Sequence, residues 1–147
     1  MKTGSVYITA LTKRDVDEPI DPVIYFITAA LGFAALENVF FLIGPLIDGN
    51  IAEGIITGNL RFIGATLLHT VSSATIGLFL AISYYQSKIM KWVYAFWGLL
   101  VATILHTMFN LLIIQDNNTF LVFSGVWAGI ILLIVVFEKV KKIKPVF

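Results

Sequence analysis

Apolar residues gather along the chain into four long blocks with short polar stretches between them. The first runs from about Pro22 to Ile47 and reads PVIYFITAALGFAALENVFFLIGPLI. The second runs from about Leu60 to Tyr85, the third from Trp92 to Ile114, and the fourth from Phe120 to Phe137. A helix needs about 20 mostly apolar residues to cross roughly 30 Å of hydrocarbon, and the four blocks are of that order. The stretches between them are DGNIAEGIITGN, QSKIMK and QDNN. Gly44-Pro45, Asp48-Gly49-Asn50 and Asp116-Asn117-Asn118 supply the chemistry that stops helices and makes turns. The pattern predicts an all-α, polytopic membrane protein. Its transmembrane domain is a bundle of four helices over residues 22–137, after an N-terminal segment of residues 1–21 and before a basic tail, 138–147.

Composition narrows the class. The 147 residues are 59% hydrophobic and 13% charged, against about 25% charged in an ordinary soluble domain. Disorder, nucleic-acid binding and an ordinary cytosolic enzyme are excluded on those grounds. Without cysteine there is no disulfide framework, thiolate metal site or cysteine nucleophile. The net charge of +1 matters less than its distribution. Lys2, Lys13 and Arg14 lie before the first block, Lys88 and Lys91 between the second and third, and Lys139, Lys141, Lys142 and Lys144 in the tail. The other two loops carry Asp48, Glu53 and Asp116, with Arg61 at the edge of the first. Basic loops stay cytoplasmic, which places both termini there and makes this a multi-pass protein of the cell membrane. Trp92, Tyr94 and Trp97, with Tyr84-Tyr85, fit an interfacial aromatic belt on the same side. Val6–Leu11 is too short to span and is expected to be the stub of a helix whose earlier part is absent. Asp21 is expected to cap the first span, with Pro22 at the first helical position. The tail is expected to contact anionic membrane lipid.

Three ionisable residues fall inside the spans: Glu37, His69 and His106. Such groups cost roughly 2.5–3.5 kcal/mol or more each at the bilayer centre, so they face protein or water and mark working sites. Glu37 lies ten residues before Ile47, His69 nine after Leu60 and His106 eight before Ile114. At the helical rise all three stand about 12–15 Å below the outer face. Three helices thus deliver one carboxylate and two imidazoles to one layer, and the fourth span reads as packing. His106 and Asn110 share a helix face at i, i+4, as do His69 and Ser73, and Phe33 sits one turn before Glu37. Gly32 with Ala29, Ala30, Ala34 and Ala35, and Gly64, Ser72, Ser73 and Gly77, give the first two spans small surfaces for close approach. Glu37, His69 and His106 can supply the three protein ligands of a catalytic zinc. Chemistry alone leaves this a polar site, catalytic or transporting.

The run DEPIDPVIYFITAALGFAALENVFFL, residues 17–42, resembles the signature of PrsW-type intramembrane proteases, relatives of the CAAX-prenyl protease superfamily. The resemblance rests on an acidic-proline segment before a span with FxxxE followed by Asn (Phe33, Glu37, Asn38). It continues in a span with Arg61 near its start and His69 further on, then in HxxxN at His106 and Asn110, and covers residues 17–114. It implies a peptidase that cleaves a membrane-anchored protein, such as a single-span anti-sigma factor. Glu37, His69, His106 and Asn110 are then the site residues, Asn110 as oxyanion donor or as the group that orients His106. The cofactor is zinc held by Glu37, His69 and His106, or none, with a glutamate-activated water. The chain departs from the family in one respect: the paired-glutamate EExxK motif does not occur in it. Loss of a general base typically costs about 100- to 10,000-fold, so a site missing that pair is expected to be inactive or nearly so. Two other readings stay open at this point: a small proton or metal transporter or channel, and a non-catalytic protein that binds a partner helix.

Overall fold

The computed structural model describes residues 16–114 and 119–143, apart from the side chains of residues 53, 57, 60, 61, 112–114, 119, 121 and 122. Val6–Leu11, the Asp116 loop, Lys144 and the side chains of Glu53 and Arg61 lie outside the described residues. The described residues form four helices: α1 (Asp21–Ile47), α2 (Ile51–Ile82), α3 (Lys88–Ile114) and α4 (Thr119–Val140). All four are long and apolar enough to cross a membrane, and the protein is an all-α, multi-pass membrane protein.

The element starts differ from the sequence expectation in ways the local chemistry explains. α2 begins at Ile51 rather than near Leu60, so most of DGNIAEGIITGN is helix and not loop. The reversal is confined to Asp48-Gly49-Asn50, where Gly49 takes a φ of 73° that favours glycine. From there the Gly54 N–H reaches the Asn50 carbonyl at 3.0 Å, and no proline interrupts the run. α1 keeps Pro45 inside its last turn and ends two residues later at Ile47. α3 begins at Lys88, so Lys88 and Lys91 belong to its first turn, with Ser87 capping. The Met90 N–H donates to Ser87 Oγ at 3.4 Å and the Lys91 N–H to the Ser87 carbonyl at 3.0 Å. Pro22 does lie at the start of α1, but Asp21 is not its cap. The Asp21 carboxylate accepts instead from the Asp17 and Glu18 N–H groups, at 3.0 and 2.8 Å, folding the preceding segment back on the helix.

α2 is the hub. It packs against each of the other three helices, and α1 packs almost wholly on α2. Three apolar clusters result. Leu68, Val71, Phe109 and Val126 join α2, α3 and α4. Phe26, Ile76 and Ala102 join α1, α2 and α3. Val23, Leu78, Ala81 and Val140 join α1, α2 and α4. The other helices turn large apolar side chains outward, among them Phe40, Phe41, Phe96 and Ile131, as lipid-facing surfaces do. Gly77 permits the α1–α2 seam: a Cβ there would stand 2.6 Å from Val23 Cα and 3.0 Å from the Pro22 carbonyl oxygen. Gly98 does the same for α2–α3 against Phe79 and Ile76, whereas Gly32 faces open space.

Candidate active site

The antiparallel α1–α2 hairpin brings the middle of α1 level with the middle of α2, and α3 comes up along the other side of α2. Glu37 extends from α1 so that its Oε2 lies 2.8 Å from His69 Nε2. His69 is buried, while about 30% of the Glu37 side chain is exposed. The pair therefore has one member inside the bundle and one at an open wall. The contact has the length of a hydrogen bond between carboxylate and imidazole. The His106 ring lies beside the His69 ring, centroids 5.1 Å apart and tilted by 32°. Phe33 closes the opposite side edge-on, at 5.4 Å and 76°. One carboxylate and two imidazoles from three helices thus adjoin at a single level.

The structure brings Glu37, His69 and His106 side by side, and Asn110, one turn beyond His106, is exposed on α3. Two residues without an assigned role join the site. Asn38 donates through Nδ2 to Thr66 Oγ1 at 3.2 Å, one helical turn from His69. Its own Oδ1, like Ser72 Oγ, is buried with no hydrogen-bond partner. The i, i+3 spacing of Thr66 and His69 was the available signal for Thr66.

The donor chemistry of Glu37, His69 and His106 is that of a zinc site. As the side chains stand, no group of three or more His, Asp or Glu among the described residues is arranged to hold an ion. The carboxylate is directed at the imidazole nitrogen, and ligation needs both turned toward a common point. The donor types fit a metal, and the observed contact is that of a hydrogen-bonded pair.

The model of a family described as PrsW family intramembrane metalloprotease matches residues 1–138. The chain belongs to the PrsW family. The match extends beyond residues 17–114, over which the motifs resembled it, and takes in the N-terminal segment and α4. The chain is also 24% identical over 139 residues to a Protease PrsW of Geobacillus kaustophilus (strain HTA426). That alignment takes in 95% of this chain but spans about 56% of the length of that PrsW relative. No solved structure matches the chain.

Proposed function

We propose that the protein is an intramembrane peptidase that cleaves a membrane-anchored protein at the layer of Glu37, His69 and His106. The observation that carries the reading is the 2.8 Å contact between Glu37 Oε2 and His69 Nε2, with His106 alongside. Family membership supports the reaction class, and the convergence of three ionisable side chains from three apolar helices supports the place.

In this reading Glu37 accepts a proton from the attacking water at its carboxylate; with no EExxK pair in the chain, it is the one base on which any cleavage rests, and the rate is expected to be low. His69, through its hydrogen bond at Nε2, holds that carboxylate in place. His106, against the His69 ring, is the second imidazole of the layer, and Phe33 keeps lipid from its far side. In the metal-dependent alternative Glu37, His69 and His106 would instead hold a zinc ion, in keeping with the family's description as metalloproteases, and Glu37 would be a ligand rather than the base. Zinc, when bound, polarises a peptide carbonyl and lowers the pKa of its bound water. Asn110 is one turn from His106 and serves as an oxyanion donor only if the bound substrate reaches the exposed face of α3. A single-span protein such as an anti-sigma factor has the shape such a layer would accept.

The end of the bundle that carries Lys88, Lys91 and Lys139 is the cytoplasmic one in this reading, which sets the site nearer the outer face. The α1 start, the α2–α3 turn and the α4 end are gathered there, as the Val23, Ala81 and Val140 cluster and the Tyr84–Val16 hydrogen bond attest.

The test is proteolysis in liposomes by the full chain, with single-span substrates carrying a fluorescent reporter. Glu37→Gln and His69→Ala are expected to lower the rate at least 100-fold. Cleavage that persists in Glu37→Gln at the parent rate would refute the assignment.

A further inference from the structure

We propose that Asn38 is a positioning residue: its amide, anchored on Thr66, sets the rotation of α1 that lays the Glu37 carboxylate on His69. The role of the pair rests on the proteolytic reading above, whereas the contact belongs to the fold.

Glu37 and Asn38 are consecutive, so they leave α1 about 100° apart. Each meets α2, and the residues they meet, His69 and Thr66, lie one turn apart on one face. Two directional contacts from adjacent residues fix both the rotation and the height of α1. One alone would fix neither. Much of the remaining α1–α2 seam is apolar, through Val23, Phe26 and Ala29 against Ile76, Leu78 and Ala81, and apolar contacts carry no directional preference of their own. A carboxylate oxygen stands roughly 6 Å from the helix axis, so a roll of about 20° moves it by about 2 Å. That is enough to break the 2.8 Å contact with His69.

The amide also carries a penalty. Asn38 Oδ1 is buried without a partner, which an apolar residue of the same size would avoid. A side chain that binds with one end and is unsatisfied at the other contributes direction more than stability. Thr66 supplies the anchor from the helix that carries His69, so the clamp and the imidazole move together.

The chain holds only two histidines, so its imidazole ¹⁵N spectrum contains two ring systems and His69 is read directly. Full-length protein in nanodiscs, labelled at histidine, is compared as Thr66→Val, which keeps the shape without the hydroxyl, and Thr66→Ser, which keeps the hydroxyl. The Val variant is expected to lose the carboxylate-bonded signature of His69 Nε2, and the Ser variant to retain it, with both melting close to the parent. A His69 signature unchanged in Thr66→Val overturns the proposal. Should that variant not fold, Asn38→Ala serves the same comparison, with Asn38→Asp, an acceptor for the Thr66 hydroxyl, expected to restore the signature. In the liposome assay the Val variant is expected to lose about 10- to 100-fold in kcat with KM unchanged. Absence of cleavage by the parent chain would count against the proteolytic reading and leave the spectroscopic result standing.

Discussion

Replacing Gly77 by alanine tests the packing account where the backbones are closest. The new Cβ would lie 2.6 Å from Val23 Cα, 3.0 Å from the Pro22 oxygen and 3.1 Å from the Val23 nitrogen. Carbon atoms rest at about 3.5–4.0 Å, so α1 must back away by roughly 1 Å. All three obstructing atoms are backbone and cannot swing aside. A gap of that width forfeits about a quarter to a half of each dispersion contact along the seam, where Val23, Ala81 and Val140 are almost fully buried. Overpacking of this kind costs about 1–3 kcal/mol, and rigid obstruction favours the upper half. Alanine returns about 1 kcal/mol of helix propensity over glycine. The net expectation is a loss of about 1–2 kcal/mol. Gly32→Ala is the control, because nothing lies within 4 Å of its added methyl and only the propensity gain remains. The difference between the two variants should be about 2–3 kcal/mol, read by equilibrium unfolding in mixed detergent micelles. If Gly77→Ala unfolds at the same denaturant fraction as Gly32→Ala, the close approach of α1 to α2 is wrong.

Three further outcomes are expected. Phe109 is buried among Leu68, Val71 and Val126, so Phe109→Ala should cost about 3–5 kcal/mol in the same titration; a loss below about 1 kcal/mol would contradict its place in that cluster. Burial first, and the nearby Tyr85, Asp21, Asp17 and Glu18 after it, push the Tyr84 phenol above 10.0. The folded chain therefore keeps this proton where the unfolded chain loses it: the stability is fully present below pH 10 and is lost as pH rises through the raised value. Tyr84→Phe should flatten that alkaline loss while giving up the hydrogen bond to the Val16 carbonyl, which is checked by thermal unfolding between pH 8 and 11. Purified chain loaded with zinc and dialysed should retain the metal, and His106→Ala should not; equal zinc in both would remove His106 from the ligand set.

What the sequence made legible was the polar layer. Charge is so costly in hydrocarbon that Glu37, His69 and His106 stand out from their apolar surroundings, and counting residues from the span ends put them at one depth. The structure brings the three side chains together, although α2 starts nine residues before Leu60, from which His69 was counted. Helix starts were less legible, since glycine and isolated polar residues between Ile51 and Asn59 read as loop in hydropathy but not in backbone chemistry. The Asp21 cap failed for a related reason. Its carboxylate serves the N–H groups before it, a local choice that spacing does not reveal. Asn38 was legible only as the residue after FxxxE, and Thr66 not at all, because an amide and a hydroxyl cost far less than a charge and nothing in one helix announces its partner in another. The small residues divided as geometry demands: Gly77 lies at a contact and Gly32 does not.

The attachment of α1 to the bundle has a mechanical consequence. The helix that carries the carboxylate leans on one neighbour, α2, and the Phe26–Ile76–Ala102 cluster ties α1 to α3 well to the N-terminal side of Glu37. Beyond that tie α1 and α3 owe each other little cohesion and are held together mainly through α2. Under the proposed peptidase reading, a substrate helix that enters between them breaks no seam of their own, and the Phe26 cluster acts as a doorstop that limits how far it descends.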